Sequence, residues 1–477
     1  MNRGNVNLTK SVAALVTVAL LSGCVSVSGD QGFGTVFALA KDRLGQDARL
    51  LRNDDDARAL DSLIAAKMLA PLTADDAVQI ALLNNRALQA TYWNVGIAHA
   101  DLIQAGRLKN PGFTFQRTHP GDAVDIERSL TLSLVSLLTA PIARRIEGRR
   151  FEQTRLMVAN DILQHAANTR HAYFDALGAA QGLAYARQVA ASAEASAALT
   201  GRMAQAGNLS QLDLARQQLY EAEAAAAVAR AGKRTVATRE QLTRLMGLWG
   251  TGTTYLLPGR LPDLPPKPAD IDDVERIAIR ERLDIQAARV EAAHTASSLG
   301  LTKTTRFINV LDLGYVSKSN AGQGAAPGYA ISLELPLFDW GGARLAKSEA
   351  IYMQAVNKVA HAATQARSEA RESYIDYRTA YDLAQHYRDR VIPLRKKISD
   401  ETMLRYNGML VSVFELLADS REQSAAVHST IDALKDYWMA HSRLEAALGG
   451  QLPTPPTSPT SPTSPAGHAI THKGTPQ

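Results

Sequence analysis

The sequence contains one cysteine and few aromatic residues, and both shortages limit what the chain can be. The single cysteine, Cys24, excludes an intramolecular disulfide and any metal site built from several cysteines. Aromatic residues make up only 6% of the 477 residues, whereas alanine dominates two long stretches that lack proline. Helices with small side chains bury little area each, so their stability must come from length and from neighbouring helices. The composition therefore argues against several compact cores.

The sequence also lacks recognisable catalytic and ligand-binding motifs. It has no nucleophile elbow, no phosphate-binding loop and no pair of catalytic carboxylates. His165 and His171 are six residues apart and do not share a helix face. Other histidines are scattered singly, at His361, His386, His428 and His441. The net charge of +5 is spread along the chain without a basic patch, which argues against nucleic acid as a partner. We therefore expect no enzyme, no cofactor and no metal site.

The N-terminal segment has the layout of an export signal. Residues 12–21 form an apolar run that is too short to span a bilayer, and Cys24 follows shortly after it. The pattern Leu21-Ser22-Gly23-Cys24 resembles a bacterial lipoprotein signal, in which Cys24 becomes the mature N-terminus and carries acyl chains such as palmitate. Val25 stands where an aspartate often retains such proteins at the inner membrane, so the resemblance implies the outer membrane. An ordinary secretory signal with an incidental cysteine is the alternative.

The first half of the chain reads as helices that enclose two strands. Thr73 is a good N-cap for a helix, and the absence of proline from Ile142 until Pro258 favours long helices there. In order, the sequence predicts helices at 35–51, 54–69 and 74–107, strands at 112–118 and 126–136, and two long helices joined at Gly207-Asn208-Leu209-Ser210.

The second half of the chain repeats the first. Five residues recur 197 positions later and a sixth changes from leucine to isoleucine. Asp76, Ile80, Ala81, Leu88, Gln89 and Ala90 are matched by Asp273, Ile277, Ala278, Ile285, Gln286 and Ala287. The repeat predicts a helix, strands at 307–318 and from Gly328, a long helix from Ala343 to a turn at Tyr406-Asn407-Gly408, and a return helix that ends near Leu448.

These patterns divide the chain into six parts. We expect a signal peptide at 1–23, an N-terminal segment at 24–71, a first repeat at 72–248, a Pro-rich connector at 249–270, a second repeat at 271–450, and a disordered Pro/Thr/Ser tail at 451–477.

The strand that begins at Gly328 indicates where the chain meets a membrane. Ile331, Leu333 and Leu335 alternate with polar residues, which is the pattern of a strand with one apolar face, and Pro336 ends it. Four strands of this kind cannot close a membrane barrel, which needs about eight or more. Two copies of the chain would supply eight strands and three would supply twelve, and the residues leave both open.

The order and duplication of these elements resemble the TolC-like outer-membrane efflux family, and the signal resembles its lipoprotein branch. The resemblance covers roughly residues 60 to 450. It depends on the paired helix reversals, on Leu335-Pro336-Leu337-Phe338-Asp339 between strand and helix, and on Pro71-Leu72-Thr73 followed by Ala77, Ala81, Leu82 and Asn85. It implies a mainly α fold with a small β part, in which duplicated helical hairpins form a periplasmic coiled-coil tunnel. Four strands per chain would then join a trimeric 12-stranded membrane barrel.

The resemblance also implies a function and partners. The chain would be a homotrimeric outer-membrane channel of a tripartite efflux system, held in outer-membrane lipid through Cys24. It would be a passive exit duct for small molecules or metal ions, which an inner-membrane transporter and a periplasmic adaptor protein deliver. The alternatives are the outer-membrane component of a type I-like polypeptide secretion system and a peripheral coiled-coil scaffold without a pore.

The two helix reversals carry the candidate site residues. The resemblance implies adaptor docking at the two tips, at Gly207, Ser210, Leu212, Gly408, Ser412 and Phe414. We expect both glycines to adopt the positive φ of a helix reversal and both serines to cap the returning helix. A periplasmic gate is implied at Glu415, Asp419 and Asp213. Ala418 stands where the family has its second carboxylate, so Asp419 is the nearest substitute, and a solvated helix face is the alternative.

Overall fold

The computed structural model describes residues 29–450 and 452, with gaps at 120, 122–123, 308–309 and 321–323. Cys24 and the predicted signal peptide lie outside the described residues, as does the C-terminal tail apart from Leu452. Helices dominate the described part, and four strands form one sheet. The predicted fold class, mainly α with a small β part and duplicated helical hairpins, is confirmed.

The helices and strands follow the predicted order. The helices are α1 (Phe33–Leu44), α2 (Asp54–Lys67), α3 (Ala74–Asn84), α4 (Arg86–Ala105), α5 (Leu134–Gln205), α6 (Gln211–Met246), α7 (Val274–Glu281), α8 (Leu283–Thr305), α9 (Gly342–His386), α10 (Ile392–Asn407) and α11 (Val413–Ala447). The strands are β1 (Gly112–Thr118), β2 (Asp125–Ser133), β3 (Leu311–Asn320) and β4 (Ala326–Leu333). None of the described helices is long and apolar enough to cross a membrane.

The helix predicted at 74–107 is wrong in one respect, because the chain breaks at Asn85 into α3 and α4. Asn85 has extended backbone angles, and its side chain accepts a hydrogen bond from the Leu88 amide. Its amide group also donates to the carbonyls of Arg244 and Leu245 at the end of α6, at 3.3 and 3.0 Å. The second repeat breaks at the equivalent position, Arg282, between α7 and α8. The two repeats therefore share the position at which this helix breaks.

The sheet is an antiparallel meander in the order β1-β2-β3-β4, and β2 and β3 join the two repeats. Residues paired across neighbouring strands share a face, so two apolar rows cross the sheet. They are Phe113, Leu130, Tyr315 and Tyr329, followed by Leu132, Leu313 and Ile331. The opposite face carries Thr114, Ser129 and Thr131 and the ion pair of Glu127 with Lys318. The predicted alternation of apolar and polar faces is confirmed.

The strand-to-helix junctions differ from the prediction by a few residues. β2 ends at Ser133 rather than at 136, so Leu134 starts α5 instead of continuing the strand. Pro141 lies in the second turn of α5 rather than before it. β4 ends at Leu333, before Leu335 and Pro336. After β2, the alternating pattern did not locate the end of the strand because the first helical turns of α5 reuse the same small and apolar residues.

Two long hairpins extend from this sheet. α5 has 72 residues, which corresponds to about 108 Å, and it packs antiparallel to α6. In the second hairpin α9 continues into α10 through a short π-helix at Tyr387–Val391. This turn lies directly before Pro393, whose ring would otherwise press on the carbonyl of Asp389. The helix therefore passes the proline and reaches its tip.

The core lies around the middle of the hairpins, where α1 to α4 and the connector pack against them. One buried cluster joins α1 and α4 to α5, and a second joins α3, α5 and α6. The connector crosses the second hairpin and is hydrogen-bonded to it. The Tyr377 hydroxyl accepts from the Ala269 amide at 2.8 Å, and the Trp438 indole donates to the Pro262 carbonyl at 3.0 Å. Within the described residues, tertiary packing therefore concentrates at this level rather than at the tips.

Candidate gate and docking tips at the helix reversals

The first tip, which connects α5 to α6, has the expected geometry. Gly207 has a φ of +75°, and the amides of Gly207 and Asn208 bond back to the carbonyls of Ala204 and Met203. The Ser210 hydroxyl accepts from the Asp213 amide at 3.1 Å and donates to the Asp213 carboxylate at 2.7 Å. Ser210 is therefore the N-cap of α6, and Asp213 is held in that cap.

The second tip differs, and the expectation that Gly408 takes the positive φ is wrong. Gly408 has a φ of −80°, whereas Met409 has a φ of +57°. The amides of Met409 and Leu410 bond back to the carbonyls of Tyr406 and Arg405, which is the hydrogen-bond pattern seen at Gly207. Because α10 extends through Asn407 and Gly408 is its C-cap, the left-handed position falls on the following residue. The second tip thus holds a non-glycine residue in a conformation that favours glycine.

Ser412 and Glu415 form a reciprocal cap at the start of α11. The Glu415 amide donates to the Ser412 hydroxyl at 3.3 Å, and the Ser412 amide donates to the Glu415 carboxylate at 3.4 Å. Glu415 stays exposed to solvent, and Phe414 is half-buried beside it. The carboxylate is therefore both oriented by the cap and available to solvent.

Asp419 lies one turn beyond Glu415 in a different environment. Only 8% of its surface is exposed, and its Oδ2 atom has no hydrogen-bond partner within the described part of the chain. Gln217 occupies the equivalent position in the first repeat, four residues after Asp213, and only 2% of its surface is exposed. The structure therefore separates the sequence-predicted acids into two exposed to some degree at the helix starts, Asp213 and Glu415, and one buried on its helix, Asp419.

Arg421 connects the two hairpins near their tips, and the sequence did not identify it. Its guanidinium donates to the Gln217 side-chain oxygen at 2.9 Å and lies 4.1 Å from the centre of the Tyr220 ring. Burial raises the Tyr220 pKa, and the nearby Arg421 charge opposes this shift. This contact joins α11 to α6. Arginine and tyrosine on two separate repeats share no spacing in the sequence, so no sequence pattern pointed to this contact.

The tips also expose apolar side chains. The exposed fractions are 61% for Leu212 at the first tip, and 93% and 77% for Met409 and Leu410 at the second. No other described element packs over them, and their exposure makes both ends suitable for contact with another protein.

A cluster of charged side chains and one histidine lies at the middle of the hairpins, away from the tips. Arg170 on α5 donates to Glu445 on α11 at 2.9 Å and to Asp75 on α3 at 3.1 Å. Burial, with a further contribution from the Arg170 charge, lowers the pKa of His441 from 6.5 to about 4. Burial likewise raises the Glu445 pKa, although Arg170 opposes it. His441 is therefore neutral near pH 7 and packs among aromatic rings of Tyr377, Tyr437 and Trp438.

The described residues contain no group of three or more His, Cys, Asp or Glu side chains placed to hold a metal ion.

Neither protein-family models nor curated proteins match this sequence. Solved structures do match. The chain is similar to the outer-membrane channel CmeC of Campylobacter jejuni, with a TM-score of 0.65 and 16% identity over 79% of this chain and 85% of that one. It is similar to the outer-membrane protein VceC of Vibrio cholerae, with a TM-score of 0.67 and 14% identity over 79% and 96% of the two chains. It is also similar to the outer-membrane channel MtrE of Neisseria gonorrhoeae in its open state, with a TM-score of 0.64 and 17% identity over 78% and 88%.

Proposed function

We propose, from a chain that has the fold of the TolC-like outer-membrane channels, that this protein is the outer-membrane exit duct of a tripartite efflux system. The observation that carries the proposal is the sheet. It has one apolar face and one polar face, and neither β1 nor β4 has a second partner strand within the described residues. An apolar sheet face suits lipid, and unpaired edges in lipid are costly, so other copies must supply the neighbouring strands.

A homotrimer satisfies this requirement. Three copies of four strands give a closed barrel of twelve, with the apolar rows facing lipid and the polar face lining the pore. The same symmetry would place six hairpins around one axis, as a tunnel that extends about 100 Å beyond the sheet. The chain would be passive, and energy would come from an inner-membrane transporter.

The tips would have two roles in this assembly. Gly207, Ser210 and Leu212 at the first tip, and Gly408, Ser412 and Phe414 at the second, would meet a periplasmic adaptor protein. Glu415 would form a ring of three carboxylates around the axis at the narrow end, with Asp419 and Asp213 as further acids near it. The exposed, capped Glu415 supports this role best because its carboxylate is oriented at the start of α11.

Two further parts of the proposal concern the anchor and the cargo. Cys24 would carry the lipid that fixes the N-terminus in the outer membrane. The cargo would be small molecules or metal ions that the adaptor and the transporter deliver, so that specificity would reside largely in those partners.

The first experiment is the mass and location of the membrane-purified protein, with Cys24→Ala as the matched variant. We expect a trimer in the outer-membrane fraction, in which each chain has lost residues 1–23 from the 51.4 kDa precursor and carries acyl mass that the variant lacks. A water-soluble monomer would rule out the channel.

A deletion strain then tests the cargo. Increased sensitivity to toxic small molecules or metals supports efflux, whereas loss of a secreted polypeptide with unchanged sensitivity contradicts it.

A further inference from the structure

A cavity of about 420 Å³ lies between α5, α6 and α11, and we call it the wall cavity. Its floor is one face of α5, where Gly178, Gly182, Tyr185 and Val189 follow one another at intervals of three or four residues. Helices α6 and α11 form its two sides. The volume lies within the range of about 300–1,000 Å³ that is usual for small-molecule sites.

Small residues keep the cavity open. A Cβ atom at Gly178 would lie 2.8 Å from Cδ of Lys435, so only glycine lets the lysine stem cross α5 at this point. Alanines occupy the facing positions of α6, namely Ala224, Ala227 and Ala231. Larger side chains at these positions would bring the helices into contact and remove the space.

One end of the wall cavity is cationic. Lys435 has only 8% of its surface exposed, and it pairs with Asp432 at 3.1 Å and with Asp436, both on its own helix. Arg234 pairs with Asp175 at 3.1 Å. Arg230 also lines the cavity, and no carboxylate lies within salt-bridge distance of it among the described residues. Three cationic side chains thus line the cavity together with a single carboxylate, that of Asp432.

The other end is neutral. Tyr185, Val189 and Ser424 line both the wall cavity and a neighbouring cavity of about 200 Å³. This second cavity has no ionisable lining other than tyrosine, and its further residues are Gln188, Ser192, Ser196, Tyr220, Leu417 and Ser420. The polarity along α5 therefore changes from cationic near Gly178 to neutral and partly apolar near Val189, over about 16 Å.

We propose that the wall cavity binds a single-chain anionic amphiphile, with its carboxylate or sulfate head near Arg230, Arg234 and Lys435 and its apolar chain along α5 from Gly182 to Val189. Arginine and lysine bind such heads through charge-assisted hydrogen bonds. A volume of about 420 Å³ suits a single-chain amphiphile better than a lipid with two chains. The site lies within one protomer, so binding does not depend on the proposed transport role.

The test uses photoreactive dodecanoate on the purified full-length protein in lipid nanodiscs, with labelled peptides mapped by mass spectrometry. We expect saturable labelling of peptides that contain 178–189, 224–234 and 424–435. Unlabelled dodecanoate should compete, and dodecyltrimethylammonium, which has the same chain and the opposite charge, should not.

Two variants with matched controls identify the site. Arg230→Gln removes the unpaired cation and should weaken binding about tenfold, the loss of roughly one charge-assisted hydrogen bond. Ala227→Leu fills the cavity and should abolish labelling. Lys233→Gln and Ala226→Leu change exposed positions of the same helix that do not line the cavity, and they should leave labelling unchanged.

Several outcomes would overturn the proposal. They are labelling confined to the sheet, equal competition by the cationic amphiphile, competition by phosphatidylglycerol alone, and unchanged labelling in Arg230→Gln and Ala227→Leu. Absence of labelling would also overturn it, since it would mean that another protein segment covers the cavity in the assembled protein.

Discussion

At the second tip a methionine occupies the conformational position that glycine occupies at the first. Met409 lies in the left-handed region, where a side chain costs about 1 kcal/mol relative to glycine. Strain of this size at an exposed reversal persists only because the hydrogen bonds of the α10 C-terminus impose it. The residue in the left-handed position, Gly207 or Met409, therefore affects how stable each tip is.

Met409→Gly should stabilise the second tip by about 1 kcal/mol because it removes this strain. Amide hydrogen exchange at the end of α10 should slow by roughly fivefold. Gly207→Ala should have the opposite effect at the first tip, since its φ is +75° while no atom crowds the added Cβ. Equal exchange rates in Met409→Gly and the parent would contradict this account.

Arg421 is the side chain that connects the hairpins near the tips. Arg421→Ala leaves the buried Gln217 side chain without its partner, which costs about 2 kcal/mol, and should raise single-channel conductance in planar bilayers by loosening the narrow end. Arg216→Ala is the control, because it breaks only an exposed pair within α6. A closed-channel conductance that is the same in both variants would show that Arg421 does not restrain the tips.

The charge of Glu415 can be tested apart from its capping hydrogen bond by a substitution that keeps the shape of the side chain. Glu415→Gln retains an oxygen acceptor for the Ser412 amide and removes one charge per chain, so cation selectivity should fall while the channel still assembles. Asp400→Asn removes an exposed charge from α10 and is the comparison. Reversal potentials in a salt gradient measure the effect. An unchanged reversal potential in Glu415→Gln would place the carboxylate away from the pore.

At the scale of elements, each repeat is a helix that is broken once, two strands and a long hairpin. The break at Asn85 exists because its side chain binds the carbonyls that end α6, and Arg282 binds Asp284 and Glu369 at the matching place. The broken helices therefore connect each repeat's start to its long helices. The contact between α5 and α11, through Arg170 and Glu445, joins the two repeats to one another.

Burial of His441 beside this contact makes stability depend on pH. The folded chain lowers its pKa from 6.5 to about 4, so between these values the unfolded chain binds a proton that the folded chain does not. The free energy of unfolding should therefore fall as pH drops from 6.5 towards 4, by at most about 3 kcal/mol from this residue.

His441→Gln tests this contribution because it cannot titrate. Urea unfolding midpoints at pH 7.5 and pH 5 should differ less in the variant than in the parent. Glu445, whose pKa is raised by burial, contributes with the opposite sign in both proteins. The same pH dependence in both would show that His441 does not carry it.

At the scale of the whole molecule, the sheet and the hairpins differ in the chemistry of their exposed surfaces. The apolar rows of the sheet lie exposed in the single chain, whereas the hairpins carry charges along their length. A charge at Leu130 would face lipid in a closed barrel, and one at Ser129 would face the pore.

Leu130→Arg should therefore lower recovery of the assembled protein from the outer membrane, at a cost of about 2–4 kcal/mol, while Ser129→Arg should assemble normally. Heat-resistant oligomer on a gel, from membranes of cells that express each variant equally, measures the difference. Equal assembly of the two variants would show that the apolar face does not meet lipid.

Much of the architecture could be predicted from local pattern. Alternation identified the strands because adjacent side chains point to opposite faces, and the proline-free alanine-rich stretches identified the long helices. The serine caps at both tips followed from residue type, since a serine hydroxyl satisfies a free amide at a helix start. The identity of the left-handed residue at the second tip could not be predicted, because it depends on whether α10 ends one residue earlier or later.

The sequence by itself determined the duplication, the order of elements and the two-faced strands, because each arises from residues close together in the chain. Tertiary structure alone decided the break at Asn85, the burial of Asp419, the Arg421 contact and the wall cavity. Each of these joins residues about 160 to 260 positions apart, or depends on which helix face another helix covers. Such pairings leave no periodic signal, because in the sequence a side chain that makes a distant contact cannot be told from one of the same type that faces solvent.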